Sequence, residues 1–407
     1  MKQSPETLFE KYHALVDDYG TYPPKENWSN LPFACDYEAK LKRLVKRQKP
    51  VTLNVQIPFC QKDRHNYGLD MGSPTLEASL ASEYPGYLAK EMDTISDIAG
   101  GTIRVDQLYF GGGIPTLLSP EQLGLALSAC RLYFDFTQKA GMTFEADAKS
   151  CTQEHILLLY QLGFSRIVFK ELDLDLSPWD LGQEEHLEHF RELIGLARQV
   201  GYKSVQANLH FGLPGQTVQS VAETFRNLCS IRPDRVALYD FGQRLENRRV
   251  PIESLPSSMD KAAIQITAAQ KLEGSGYSRV GTNLFTLPGD ELAYCARIGI
   301  LRRNFTGYTS KDAPDVLGVG LAAHGFLETQ YFQNTSQLET YLHLTSEEFP
   351  PRGPLLRTGL LRPALQTSYR RLALQSLGGH PCLLQKVQGG HGNRTSRDPW
   401  PTGPIPG

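Results

Sequence analysis

The residues that could carry chemistry lie where apolar segments of the chain end. They are a cysteine, a run of glycines, a carboxylate, an amide and a glycine-rich turn: Cys60, Gly111–Gly113, Glu145, Asn208 and Gly212–Thr217. A thiolate is a soft ligand that suits iron. Glycines let backbone N–H and C=O groups approach a ligand and permit a tight turn. These residue types predict a binding site, whose chemistry depends on how many thiolates reach it.

The cysteines limit that chemistry. The chain has seven, at positions 35, 60, 130, 151, 229, 295 and 382. No two of them lie within five residues of each other, so no local metal-binding motif exists. Their scatter and odd number argue against a disulfide framework and favour a reducing cytoplasm.

The elements that must position these residues alternate between strands and helices. Strands are predicted at 51–57, 106–110, 143–147, 166–169, 203–211 and 235–239. Helices are predicted at 74–99, from Ser119, and at 153–162, 185–200, 218–230 and 259–277. Ser119, Pro120 and Gln122 supply the N-cap, N1 and N3 residues of a capping box. Six β/α repeats rather than eight predict an open, partial parallel barrel, with its site at the carboxyl ends of the strands.

Composition excludes some classes of partner. The 407 residues are 40% hydrophobic and 21% charged, as in ordinary globular proteins. A formal net charge of −2 gives no indication of nucleic-acid or membrane binding. No run approaches the roughly 18 apolar residues of a membrane span, and the first residues lack the apolar core of a secretion signal. We expect a cytoplasmic monomer.

The chain divides into four parts by pattern. Residues 1–50 form an N-terminal extension with a helix predicted at 36–48, residues 51–280 the barrel, and residues 281–350 a segment that follows it. Residues 351–407 hold eight Lys and Arg but one acid, with Gly and Pro throughout. Two explanations of this atypical tail stay open: a disordered basic extension, or a reading frame that shifted near residue 350.

Several phrases, in order, carry a family resemblance: Val55–Cys60 (VQIPFC), Gly111–Thr116 (GGGIPT), Gly212–Thr217 (GLPGQT), Arg303–Thr309 (RNFTGYT) and Leu317–Gly320 (LGVG). They resemble the oxygen-independent coproporphyrinogen III oxidases, which are radical S-adenosylmethionine (SAM) enzymes. The resemblance covers about residues 10–345. It implies an α/β fold with a six-stranded partial barrel. It also implies a place in haem biosynthesis, where the family converts coproporphyrinogen III to protoporphyrinogen IX by SAM-dependent oxidative decarboxylation.

The family's cluster loop departs most in this chain. In the family it reads C-x3-C-x2-C-G-C, and its first three thiolates hold a [4Fe–4S] cluster. Here those positions are Cys60, Arg64 and Tyr67, and the fourth is Leu69. Arginine is a permanent cation without a donor lone pair, and the tyrosine phenol loses its proton only near pH 10. Cys60 is therefore the only retained cluster position, and we expect no metal, no cofactor and no catalytic residue.

The resemblance assigns a SAM site to the ends of the second and third strands. In the family the glycine turn meets the methionine part of SAM, and a glutamate faces SAM. Gly111, Gly112, Gly113 and Glu145 are then a vestigial SAM site. The alternative is structural: a turn that the barrel needs, and a carboxylate paired with a nearby Lys or Arg.

Other positions that the family uses have changed as well. They are Asn54 for tyrosine, Gln56 for histidine, Leu172 for glutamine, Glu184 for arginine, Asn208 for aspartate, and Asn283-Leu284 for Asp-His. Each change removes a charge, a ligand or a hydrogen-bonding group, while the framework phrases remain. Such a pattern is typical of a pseudoenzyme.

Three interpretations remain open. The first is a catalytically degenerate relative of the oxidases. The second is a non-catalytic module that binds a partner or a tetrapyrrole, with His65 and His210 as candidate axial ligands. The third is the unstable product of a decaying duplicate gene.

Overall fold

The computed structural model describes residues 34–59, 78–170, 184–241, 254–304, 306–350 and 352–357. One twelve-stranded sheet carries the fold, in the order β14-β13-β12-β11-β1-β2-β3-β4-β5-β6-β8-β7, and β9 and β10 form a separate pair. The strands are β1 (Val51–Ile57), β2 (Ile103–Gly112), β3 (Phe134–Ala146), β4 (Arg166–Phe169), β5 (Ser204–Phe211), β6 (Arg235–Asp240), β7 (Ser278–Val280), β8 (Leu284–Thr286), β9 (Arg302–Asn304), β10 (Gly307–Thr309), β11 (Val316–Val319), β12 (His324–Leu327), β13 (Gln330–Asn334) and β14 (Arg352–Arg357).

The helices follow the predicted alternation. They are α1 (Ala34–Arg47), α2 (Ala78–Ala99), α3 (Pro120–Tyr133), α4 (Gln153–Gln161), α5 (Glu184–Val200), α6 (Val218–Ile231), α7 (Ser258–Gly274), α8 (Glu291–Arg297) and α9 (Leu338–Ser346). The capping box is confirmed, because Ser119 accepts from the Gln122 N–H and Gln122 bonds back to the Ser119 N–H. None of the helices that the structure describes combines the length and apolar character needed to cross a bilayer.

The predicted α/β class and the parallel barrel strands are confirmed, but the sheet is larger than six strands. β1 to β6 pair in parallel in chain order. β11 adds a further parallel strand beside β1, and β12 to β14 and β8 with β7 extend the two edges in antiparallel pairing. Short connections after β11 and β7 permit hairpin-like antiparallel pairing, whereas parallel pairing needs a crossover.

The sequence predicted strands only at the positions of β1 to β6, so β7 to β14 were not predicted and β3 was predicted only in part. β3 begins at Phe134, before the predicted start at Thr143, and pairs with β2 through Ile103. Residues 135–139 are largely exposed, so they lack the apolar alternation of a half-buried strand. β14 lies in the tail, where Gly353 and Pro354 obscure a strand pattern. A proline is tolerated there because β14 is an edge strand.

Alternating side chains separate the two faces of the barrel strands. In β1, Leu53 and Val55 are fully buried in the main apolar cluster with residues of α2. Asn54, between them, lies on the opposite face. β5 repeats the pattern, with Leu209 in the apolar cluster and Asn208 on the other face. The inner face of the barrel is therefore polar, as a ligand-binding interior requires.

The segment after the barrel closes the amino ends of the strands. Arg235, the first residue of β6, donates to Asp290 at 2.7 Å and to Glu291 at 3.2 Å. Arg166, the first residue of β4, donates to Glu291 at 2.5 Å. These ion pairs lie at the amino ends of β4 and β6, opposite the carboxyl ends at which barrel proteins bind ligands.

A buried carboxylate joins α2 to the strands that follow the barrel. Glu91 is 1% exposed. Its carboxylate accepts from the Gly320 N–H at 2.8 Å, the Asn334 side-chain amide at 2.7 Å and the Tyr341 hydroxyl at 2.9 Å. The Glu91 network thus connects α2 with β11, β13 and α9.

A second carboxylate connects α1 to the β12–β13 turn. Glu328 contacts Lys40 at 3.0 Å, Arg43 at 3.0 Å and Arg47 at 2.7 Å. Burial raises the pKa of Glu328, but the hydrogen bonds and charges of Arg43 and Lys40 outweigh that effect and lower the pKa to about 2. The charged form is therefore the one that the fold stabilises.

The variant Glu328→Gln is expected to be less stable than the unchanged protein at neutral pH, by about 1 kcal/mol. Because the folded-state pKa is depressed, the stabilisation is present above the ordinary glutamate pKa of 4.5 and is lost as pH falls toward 2. Urea denaturation of both proteins across this range measures it. A difference in stability that stays constant down to pH 2, or a similar loss in the exposed variant Glu347→Gln, would contradict the prediction.

Candidate functional site

The glycine turn is packed against the side chains of its neighbours. Gly112 has a φ of +101°, which favours glycine, and a Cβ there would overlap the Gln56 side chain. A Cβ on Gly111 would lie 2.5 Å from Oε2 of Glu145. The structure therefore brings three of the sequence-predicted site residues, Gly111, Gly112 and Glu145, into one place.

The third glycine holds the end of the first strand. The Gly113 N–H donates to the carbonyl of Ile57 at 2.8 Å, and the Ile114 N–H donates to the carbonyl of Phe59 at 2.8 Å. Phe59 is fully buried, with its ring edge-on to Tyr84 at 5.1 Å. The residue before Cys60 is thus fixed beside the glycine turn, while Cys60, Arg64 and Tyr67 themselves lie outside the described residues.

Glu145 is the centre of the site and is 7% exposed. The Tyr109 hydroxyl donates to its Oε1 at 2.6 Å, and the Gly112 N–H donates to its Oε2 at 2.8 Å. Lys170 Nζ contacts the same Oε2 at 3.1 Å. Burial, and then the Glu145 charge, raise the pKa of Tyr109, so its hydroxyl stays protonated and donates. Both carboxylate oxygens therefore have partners within the protein.

Lys170 is the site residue that sequence reasoning missed. Its ammonium group contacts Glu145 and also donates to the carbonyl of Gly112 at 3.2 Å. Its backbone N–H donates to the Ala146 carbonyl at 2.9 Å, which continues the pairing of β4 with β3. The sequence did contain a clue to this residue. The family has a Gly-x-Gln segment after the fourth strand, and the resemblance places Lys170 at the position of its glycine. We call Tyr109, Gly112, Glu145 and Lys170 the Glu145 site.

The amides at former family positions bond to their neighbours. Asn208 is 8% exposed and accepts from the Gln206 side-chain amide at 2.8 Å. Asn54 is 5% exposed and donates to the carbonyl of His324 at 3.3 Å. These neutral groups lie inside the barrel and participate in its internal hydrogen bonding.

The structure describes one of the two histidines considered for tetrapyrrole binding. His210 is 2% exposed, and its ring lies 5.8 Å from the Tyr239 ring. His65 lies outside the described residues.

The donor set does not fit a [4Fe–4S] cluster, which needs three thiolates. The loop after β1 supplies one thiol in sequence, at Cys60. Burial raises the pKa of Cys130 and of Cys151, which keeps both as thiols. Over the ranges that the structure describes, no group of three or more His, Cys, Asp or Glu could hold a metal ion. No step through a cluster can be derived from these residues.

Comparison with curated proteins finds oxygen-independent coproporphyrinogen III oxidases among the similar chains. An oxygen-independent coproporphyrinogen III oxidase of Escherichia coli strain K12 is 30% identical over 349 residues, which cover 84% of this chain and 75% of that protein. The protein of the same name from Salmonella typhimurium is 30% identical over 361 residues, covering 87% and 77%. No protein-family model matches the chain.

Comparison with solved structures also finds a coproporphyrinogen III oxidase. A structure described as coproporphyrinogen III oxidase from Escherichia coli, a radical SAM enzyme, superposes with a TM-score of 0.77 at 27% identity. The match covers 89% of this chain and 84% of the other.

Proposed function

The chain belongs to the family of oxygen-independent coproporphyrinogen III oxidases, and we propose that it is a catalytically inactive member of that family. The observation that carries the proposal is the identity of two residues. Arg64 and Tyr67 stand at positions where the family has cluster cysteines. With one thiolate left, the electron source for radical formation from SAM is missing.

Each replacement excludes ligation for its own reason. Arg64 carries a positive charge at accessible pH and has no free lone pair for iron. Tyr67 would have to lose a proton with a reference pKa near 10, and its hard oxygen suits cluster iron less well than sulfur does.

The Glu145 site supports the proposal independently. Its carboxylate, at the position of the family's SAM-facing glutamate, is paired with Lys170 at 3.1 Å. Lys170 and the internally bonded amides Asn54 and Asn208 give the inner face a different set of charges from the one that the resemblance implies. The scattered cysteines favour a reducing, cytoplasmic location for this inactive protein.

The test is anaerobic reconstitution of the full chain with iron and sulfide, followed by quantification of bound metal and a visible spectrum with and without SAM. We expect no more iron than the variant Cys60→Ser retains, and no spectral response to SAM. About four irons per chain, with a spectrum that changes on addition of SAM, would show that a different ligand set works and that the proposal is wrong.

The tetrapyrrole alternative predicts a different result. A saturable change in haemin absorption near one equivalent, abolished in His65→Ala or His210→Ala, would favour a binding module. His210 is buried, with its ring 5.8 Å from that of Tyr239, which argues against axial ligation of a haem iron, and we expect no saturable change.

A further inference from the structure

We propose that Lys170 is a tethered cation that fills an ammonium-binding pocket formed by Glu145, Tyr109 and Gly112. When the lysine side chain is removed, the pocket takes a small primary ammonium ion. This inference deepens the proposed function and rests on it, since an inactive protein has no need to keep the position beside Glu145 open to a ligand.

The pocket provides acceptors suited to an ammonium group. Lys170 Nζ lies 3.1 Å from Glu145 Oε2 and 3.2 Å from the Gly112 carbonyl oxygen. A primary ammonium group has N–H donors and no acceptor, so a carboxylate oxygen and a carbonyl oxygen are its natural partners. Tyr109 and the Gly112 N–H hold the carboxylate in place from the other sides.

The positive charge of Lys170 matters for stability because the Glu145 carboxylate that it neutralises is buried. The Glu145 side chain is 10% exposed and that of Lys170 is 22% exposed. A carboxylate so far from water is costly when only neutral groups surround it, and removal of its counter-ion leaves that cost uncompensated. The pocket should therefore bind a free cation of suitable size once its own lysine is absent.

The position of the lysine explains why the pocket is closed in the intact protein. Lys170 directly follows β4, and its backbone is held by the Ala146 carbonyl. The side chain crosses from there to the end of β2, at the edge of the sheet where barrel proteins bind ligands. A tethered group competes as though it were present at on the order of millimolar concentration or more, so a weak cationic ligand is excluded.

Chemical rescue tests the proposal. The variant Lys170→Ala is expected to melt at a lower temperature than the unchanged protein. Methylammonium chloride should raise its melting temperature by about 2–4 °C in a saturable way, beyond the effect of equal NaCl or tetramethylammonium chloride. The unchanged protein should show no such specific rise.

Two matched variants decide whether the rescue occurs at the pocket. Lys170→Met removes the charge but retains an apolar chain that fills the space, and Glu145→Gln/Lys170→Ala removes the carboxylate charge. Neither should respond specifically to methylammonium. A specific rise in the double variant equal to that in Lys170→Ala, or no rise in Lys170→Ala, would overturn the proposal.

A measurement on the unchanged fold covers the case in which Lys170→Ala does not fold. Acetic anhydride reacts with neutral amines, and an amine held as an ammonium ion by a carboxylate reacts slowly. Mass spectrometry should find Lys170 acetylated several-fold more slowly than the exposed Lys139, because the ammonium group of Lys170 contacts Glu145 and the Gly112 carbonyl. Glu145→Gln should remove most of this difference. Equal rates for the two lysines in the unchanged protein would refute the proposal.

The results distinguish this proposal from the proposed function. Neither the rescue nor the acetylation involves iron. Iron bound by the unchanged protein, together with methylammonium rescue of Lys170→Ala, would overturn the inactive-member proposal alone. Absence of both iron and rescue would overturn the lysine proposal alone.

Discussion

The double variant Arg64→Cys/Tyr67→Cys is expected to bind about four irons per chain after anaerobic reconstitution, whereas the unchanged protein binds none. The two substitutions restore the family spacing C-x3-C-x2-C with Cys60. The start of that loop is fixed, because Gly113 and Ile114 bond to the carbonyls of Ile57 and Phe59. Iron and sulfide quantification, with the visible spectrum, measures the gain.

The control variant Arg64→Ser/Tyr67→Ser is nearly isosteric with the double cysteine variant but supplies no thiolate. It should bind no iron, and adding Cys60→Ser to the cysteine variant should abolish its iron. If the double cysteine variant takes up no more iron than the serine control, the loop has lost more than its ligands, and our explanation by ligand loss is too simple.

Restoring the cluster should not restore turnover of coproporphyrinogen III. The other positions at which the chain departs from the family would still be changed: Asn54, Gln56, Leu172, Glu184 and Asn208. Lys170 would still contact Glu145. Measurable decarboxylation by the double cysteine variant would mean that these positions are dispensable and that the cluster ligands alone separate active from inactive members.

The variant Glu91→Ala is expected to lower the free energy of unfolding by about 3–5 kcal/mol, enough to unfold a marginally stable chain. The substitution leaves the Gly320 N–H, the Asn334 amide and the Tyr341 hydroxyl without the carboxylate that accepts from them. A buried donor that loses its acceptor costs about 1–3 kcal/mol. Urea denaturation followed by circular dichroism measures the loss.

Two milder variants separate hydrogen bonding from volume. Glu91→Gln keeps one acceptor oxygen and the side-chain shape, so it should lose clearly less stability than Glu91→Ala. Tyr341→Phe removes one donor and should cost about 1–2 kcal/mol. If Glu91→Ala and the surface variant Glu347→Gln are equally stable, the Glu91 hydrogen bonds contribute little to the stability of the fold, and the prediction is wrong.

Local sequence rules predicted the repeating part of the fold well. Ser119 and Gln122 identified the start of α3 because a capping box involves residues close in sequence. The sequence predicted strands at 51–57 and 203–211, and the structure has them at Val51–Ile57 and Ser204–Phe211. The β/α order then placed Gly111 and Glu145 at one end of the sheet.

The contacts that could not be predicted from the sequence join residues that lie far apart along the chain. Lys170 is one of many lysines, and its pairing with Glu145 follows from the register of β3 with β4. Glu91 and Tyr341 are separated by most of the barrel, and no short motif connects them. Comparison with the family pattern showed that Leu172 replaces a glutamine. It did not indicate that Lys170, which replaces a glycine, brings a positive charge next to Glu145.

The two strands that pair with β1 are synthesised at very different times during translation. One edge of Val51–Ile57 pairs with β2, which is made soon afterwards, but the other edge pairs with Val316–Val319. At translation rates of about 5–20 residues per second, that second edge stays open for on the order of ten to fifty seconds. An apolar strand with an open edge is a target for pairing with other nascent chains. We therefore expect chaperones that bind nascent chains to raise the yield of folded protein.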